Sequence, residues 1–219
     1  MSDTVRLIQQ DSGQMEWWTP QPIIDAARAV MGGIDLDPAS SAAANERVGA
    51  TRLFTIADDG LTRAWGGRVW MNPPFYDNAR FIRKLVAEHA AGHVTEACVI
   101  TFASLDTAWA RMLMCFPRWY PEGRIAYVPG WEARTAAQPG LPGLTSAAPV
   151  DLHALAAADG SPPKASMVSY LGPDDGLPRF ARAFLNRLGG TVDVPFATHL
   201  QALATLRLDC AAELERQAR

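Results

Sequence analysis

The segment Val69–Phe81, VWMNPPFYDNARF, passes from an apolar run to an amphipathic one through Asn72-Pro73-Pro74-Phe75. A following proline pushes Asn72 toward extended backbone. Pro73 and Pro74 have fixed φ and no N–H, so the turn is stiff and offers carbonyl acceptors rather than donors. The Asn72 side chain adds an acceptor oxygen, and Phe75 adds a flat apolar face. Such a corner complements an exocyclic amino group on a planar ring. The two N–H donors would meet the Asn72 side chain and the Pro73 carbonyl. The ring would stack on Phe75, an interaction of about 1–3 kcal/mol for a nucleobase. Acceptors that pull the hydrogens toward tetrahedral geometry would localise a lone pair otherwise spread into the ring, and this effect is strongest in the transition state of an alkylation. A base in duplex DNA must leave the stack to reach such a corner. The plainer alternative is a strand-terminating turn with Phe75 in the core.

Other chemistry is thinly represented. His89 and His93 are four apart on an expected helix, a spacing that suits a metal, but no Cys or further His stands nearby, and both read as structural or solvated. Ser104, Asp106 and a distant His lack the GxSxG elbow of a hydrolase; Ser104 or Asp106 reads as a helix cap. Cys98, Cys115 and Cys210 are odd in number and without CxxC spacing, which argues against a disulfide framework and a zinc site.

The elements that must position the corner follow from pattern. Thr19-Pro20 reads as N-cap and first helical residue of PIIDAARAVM, which Gly32-Gly33 ends. IDLDP, TRLFTI, RVWM, TEACVITFA, GRIAYVP and KASMVSYLG read as strands. ASSAAANERV, DNARFIRKLVAEHAAG, DTAWARMLMCF and PRFARAFLNRLGG read as helices. Strands alternating with helices predict an α/β fold with an open twisted sheet, mostly parallel with one late antiparallel strand, and helices on both faces. Ligands collect beyond the carboxyl ends of strands in such sheets, where Asn72 sits.

With 219 residues, 48% apolar and 20% charged, the chain suits one soluble domain over residues 1–190. Within it, residues 130–163 form a long Gly/Pro/Ala-rich loop, a candidate for target recognition. Residues 191–219 read as a helical tail docking through Leu200, Leu203 and Leu206. No apolar run approaches membrane-spanning length, and MSDTVRLIQQDSG is too polar for a secretory signal, so a cytoplasmic location is expected. The net charge of −3 lacks the basic excess of most nucleic-acid binders, although a local cationic cleft would suffice to attract phosphates.

Asn72-Pro73-Pro74-Phe75 resembles the (D/N/S)PP(Y/F) catalytic motif of amino-group methyltransferases that use S-adenosylmethionine. Glu16-Trp17-Trp18-Thr19-Pro20 resembles their Thr-Pro segment, and Asp35-Leu36-Asp37-Pro38-Ala39 their acidic-Pro-Ala cofactor motif. More narrowly, the chain is similar to the phage-type DNA N6-adenine methyltransferases. Asp58-Asp59-Gly60-Leu61, Asp106-Thr107-Ala108-Trp109 and Gly123-Arg124-Ile125-Ala126-Tyr127 extend the likeness, in the same order, from about residue 16 to about 172.

The resemblance implies a class I, Rossmann-like methyltransferase that acts on N6 of adenine in DNA with S-adenosylmethionine as donor and no metal. Asn72, Pro73, Pro74 and Phe75 would be catalytic. Trp18, Thr19, Pro20, Asp37, Pro38 and Ala39 would seat the cofactor, with Asp37 at its methionine end, where an anion suits an ammonium and a sulfonium. Asp106 and Trp109 would border the cleft. Asp58 either meets the cofactor adenine or caps a turn. Trp17 and Trp18 either stack on a ligand or plug the core, and Arg124 and Lys164 either meet phosphates or are surface charges. DPASSAAAN lacks the Gly-rich turn of broader methyltransferases, so small residues and Asn45 must serve in its place. The short stretch from Ala39 to Met71 implies a missing or shrunken strand, with no evident acid for the ribose. Two other readings stand beside this one: methylation of an RNA base or protein glutamine amide, and a nucleic-acid-binding relic without turnover.

Overall fold

In the computed structural model, residues 17–129 and 165–195 are described. The first helix, α1 (Gln21–Met31), begins one residue later than its Thr-Pro start suggests. Pro20 is the N-cap, with no side-chain bond, and Pro22 occupies the first turn, where a missing N–H costs nothing. Thr19 is therefore not the cap, and its hydroxyl is left for another use. The helix ends at Gly32, whose φ of 72° is a left-handed closure. It buries Ile23, Ile24, Ala27 and Val30, a stripe at helical spacing. Helix α2 (Ala42–Val48) starts on Ser41, whose Oγ accepts from the Ala44 N–H at 3.2 Å.

Strands β1 (Trp17–Trp18), β2 (Leu36–Asp37), β3 (Arg52–Leu53), β4 (Gly67–Met71) and β5 (Val94–Phe102) precede β6 (Arg118–Tyr120), β7 (Val128–Pro129), β8 (Ser166–Leu171) and β9 (Thr191–Asp193). Seven of them form one sheet in the order β3-β2-β4-β5-β8-β6-β9. The β3–β2, β2–β4 and β4–β5 pairs are parallel; β8 pairs antiparallel with both β5 and β6, and β9 antiparallel with β6. The sheet is thus mostly parallel, as expected, with a second short reversed strand at its edge. Because β9 belongs to the sheet, the sheet runs past residue 190, and a helical tail does not begin at 191.

Helices α3 (Asn78–Ala90), α4 (Ala108–Leu113) and α5 (Leu177–Leu188) complete the layers. Alternation along β4 and β5 divides the core. Trp70, Cys98 and Ile100 face Ile24 of α1 and Phe184 of α5, whereas Val69, Met71 and Val99 face Ile82 and Leu85 of α3 and Leu113 of α4. A sheet covered on both sides needs such continuously apolar strands.

Two local expectations change. GRIAYVP is not a strand of the main sheet: only Val128–Pro129 is extended, and it pairs antiparallel with Trp17–Trp18 in a separate two-stranded ribbon. The sheet strand in that region is β6, three residues between Pro117 and Pro121. Helix α4 is capped by Thr107, whose Oγ1 accepts from the Ala110 N–H, not by Ser104 or Asp106. β3 is only two residues long and forms the sheet edge among the described residues, in keeping with a shrunken region before β4. The recognition loop expected over 130–163 and most of the expected tail lie outside the described residues. No helix among the described residues is long and apolar enough to cross a membrane.

Candidate active site

Chain order reverses between β2 and β4. From β2 the chain moves to β3 on one side, then returns to β4 on the other. The crevice at this switch point lies beyond the carboxyl ends of both strands, the place where open α/β sheets bind ligands. A cavity of about 650 Å³ occupies it, with Asp37, Pro38 and Ala39 on one wall and Asn72, Pro73 and Phe75 on the other.

The second wall is the proline corner. β4 delivers Asn72 directly from Met71, and Pro74 leads into a single 3-10 turn, Phe75–Asp77, that runs into α3. The Asn72 Nδ2 donates to the main-chain carbonyl of Trp17 at 2.9 Å. A carbonyl only accepts, so the amide nitrogen must face it, and Oδ1 is the end left for another donor. Phe75 stacks on Phe102 at the end of β5, with ring centroids 4.0 Å apart and an interplanar angle of 29°. Tyr127 meets Phe75 edge-on at 6.5 Å and is itself held by a 3.0 Å hydrogen bond to Ser166 Oγ. The Gly123–Tyr127 motif thus serves as a buttress behind the corner.

The first wall centres on Asp37, which is only 3% exposed. Its Oδ1 accepts from the Ala39 N–H at 3.2 Å. Burial dominates this bond and that from Ser40, and pushes the carboxyl up to about 6. Asp35, two residues earlier, is the opposite case. Arg68 donates to both of its oxygens at 2.7 and 2.9 Å, and these bonds hold it down to about 2. One acid is paired and the other is buried at a cavity without an ion pair among the described residues. The Thr19 hydroxyl, also at the cavity, is buried with no hydrogen-bond partner among the described residues. An unneutralised carboxylate and a vacant hydroxyl fit a cationic, polar ligand end.

Trp18, Thr19, Asp37, Pro38 and Ala39 are thus brought to one cavity with Asn72, Pro73, Pro74 and Phe75. Trp17 and Trp18 both line the cavity; Trp18 is buried and Trp17 packs on the core. Other expected residues are not at its walls. Pro20 caps α1. Asn45 spends its amide locally, accepting from the Ala50 N–H at 2.9 Å and donating to the Ala50 carbonyl at 3.2 Å. Asp58 accepts from the Thr55 N–H and hydroxyl at 2.8 and 2.7 Å, which makes it a turn cap. Its neighbour Asp59 lines the cavity instead, from a left-handed φ of 50°. Asp106 and Arg124 are exposed away from the cavity, and Trp109 packs beside the α3–α4 core. Lys164 lies outside the described residues. Ser41, one of the small residues expected to stand in for a Gly-rich turn, lines the cavity, as do Arg47, Ile56, Tyr76 and Arg80, which no residue type or spacing in the sequence marks.

The sheet and its switch-point cleft define a Rossmann-like methyltransferase fold. A family model described as DNA N-6-adenine-methyltransferase (Dam) matches residues 8–141, more than half of the chain, and the chain belongs to this family of enzymes. No curated protein matches it.

Proposed function

We propose that the protein transfers the methyl group of S-adenosylmethionine to N6 of an adenine in DNA, with Asn72, Pro73 and Phe75 at the acceptor side of the cleft and Asp37 and Thr19 at the donor side. The observation that carries this reading is the Asn72 amide. Its nitrogen is committed to Trp17, and its oxygen is left to accept, beside an aromatic ring and across a cavity from a buried carboxylate.

When bound, S-adenosylmethionine supplies a methyl group activated by its sulfonium. Asn72 Oδ1 and the Pro73 carbonyl accept from the adenine amino group and raise the electron density available on its nitrogen. Phe75, held by its contacts with Phe102 and Tyr127 and lining the cavity, would receive the base without reorganising. Asp37 neutralises the cationic donor in a site where burial strengthens the attraction. Alkylation makes the amino proton acidic, so it passes to solvent without a strong base. Pro74 keeps the turn rigid, and small Ala39 and Ser41 let the ligand approach the backbone where a Gly-rich turn would otherwise do so.

The test is to incubate the protein with unmethylated DNA, RNA and a peptide mixture together with labelled donor, then identify the labelled product. N6-methyladenine in DNA is expected. Label in RNA or in glutamine would move the same corner to another planar nitrogen. Absence of donor heat in calorimetry would make the protein a relic of the fold. Asn72→Ala is expected to lower the methylation rate at least 100-fold while sparing donor affinity; a rate within a few-fold of the parent would remove Asn72 from catalysis.

A further inference from the structure

We propose that the Trp17 main-chain carbonyl is a positioning group that fixes the Asn72 amide with Oδ1 toward the cavity and restricts this corner to a side chain able to donate as well as accept. The inference rests on the catalytic reading of Asn72 and goes beyond it. An asparagine amide has two ends of opposite hydrogen-bonding character and nearly equal shape, so its orientation is decided by its neighbours. Here one neighbour is a carbonyl on β1, 2.9 Å from Nδ2. With the amide reversed, two acceptor oxygens would face each other and the nitrogen would present its donors to the substrate's donors. The carbonyl therefore selects the only orientation in which the side chain can accept from an amino group.

The carbonyl is itself held in place. Trp17 and Trp18 pair with Pro129 and Val128 in the ribbon, and Trp17 packs on the core beside α1. The acceptor thus belongs to a paired backbone and does not depend on a side-chain rotamer.

Aspartate is nearly the same size as asparagine but has no donor when ionised. At position 72 it would set a carboxylate oxygen against the Trp17 carbonyl. Only the protonated acid could give its proton to Trp17 and present the other oxygen to the cavity. Asn72→Asp should therefore behave as a working corner in its acid form and a broken one in its ionised form. Other charged or titratable groups around the same cavity are Asp37 on β2, Asp59 just before a 3-10 turn at Gly60–Thr62, Arg47 on α2, and Tyr76, Asp77 and Arg80 around the start of α3. They are common to the parent and the variant, so the ratio of the two rates isolates position 72.

The experiment compares parent, Asn72→Asp and Asn72→Ala between pH 5.5 and 8.5, in methylation of DNA and in thermal unfolding of the protein without donor. For Asn72→Asp relative to the parent, the rate is expected to fall about tenfold for each pH unit above the new acid's pKa. Its melting temperature should fall below the parent's by a margin that opens below that pKa, between the unfolded carboxyl's value of about 4 and the folded one, and stays constant above it. Asn72→Ala should show a pH-independent loss. An Asn72→Asp rate in constant ratio to the parent, or a melting temperature equal to the parent's at pH 8.5, overturns the positioning role. A near-parental Asn72→Ala rate would instead overturn the catalytic reading beneath it.

Discussion

Two carboxylates in the string IDLDP are alike as letters and opposite as acids. Nothing local separates Asp35 from Asp37, because they share one strand face by parity. The difference comes from Arg68, which reaches Asp35 from the start of the neighbouring strand, while Asp37 faces the cavity. For Asp37 the folded value of about 6 lies above the ordinary 3.8, so the folded protein holds a proton that the unfolded chain releases. Its favourable contribution is complete below about pH 4 and is lost as pH rises through 6. Asp37→Asn is therefore expected to raise donor-free stability at pH 8, by at most about 3 kcal/mol, while weakening donor binding at least tenfold. Thermal unfolding and calorimetry on the same samples check both halves. Asp35 has the reverse sign: its contribution is present above about pH 4 and fades as pH falls toward 2. Whether Asp58 meets a ligand or caps a turn was equally illegible, since it turns on its bonds from the Thr55 N–H and hydroxyl.

At the level of elements, the corner was readable because its signals are local. An apolar run, two prolines and an amphipathic run name a strand, a stiff turn and a helix without help from the rest of the chain. The Trp17–Val128 ribbon was not readable, because it joins two-residue strands distant in sequence, and such strands have no periodicity. β6 was missed for a related reason: three residues between prolines look like loop. Gly60 shows how closely the elements of the Asp37 wall of the cavity are fitted. A methyl group there would overlap the Pro38 carbonyl, so the turn after Asp59 lies directly on the segment that follows β2. Gly60→Ala is expected to destabilise the fold by about 1–3 kcal/mol and to weaken donor affinity by displacing Pro38. An unchanged melting temperature and an unchanged binding isotherm would show that this contact is not needed.

For the whole molecule, a net charge of −3 offers a nucleic acid no general attraction, so its phosphates must be met by individual cations; Arg47 and Arg80 line the cleft, Arg80 paired with Asp77. Phosphate contacts release counterions, whereas the proposed donor site centres on a single buried carboxylate, Asp37. Raising salt from 50 to 200 mM is accordingly expected to lower kcat/KM for DNA by about tenfold or more, with donor affinity changed far less; steady-state rates at sub-saturating DNA would show it. The layer order was legible from alternation, but the position of β8 was not, since pairing partners of a buried apolar run are set by topology. β8 is a six-residue strand, buried throughout, that inserts between β5 and β6 and pairs with Ala97 through Phe102. It arises well beyond residue 141, where the family match ends. A chain cut at that point would leave the central strand of the sheet with a bare row of N–H and C=O groups beside uncovered hydrocarbon. Such an edge invites other chains to dock, and the shortened polypeptide should emerge as an insoluble aggregate instead of a smaller working enzyme.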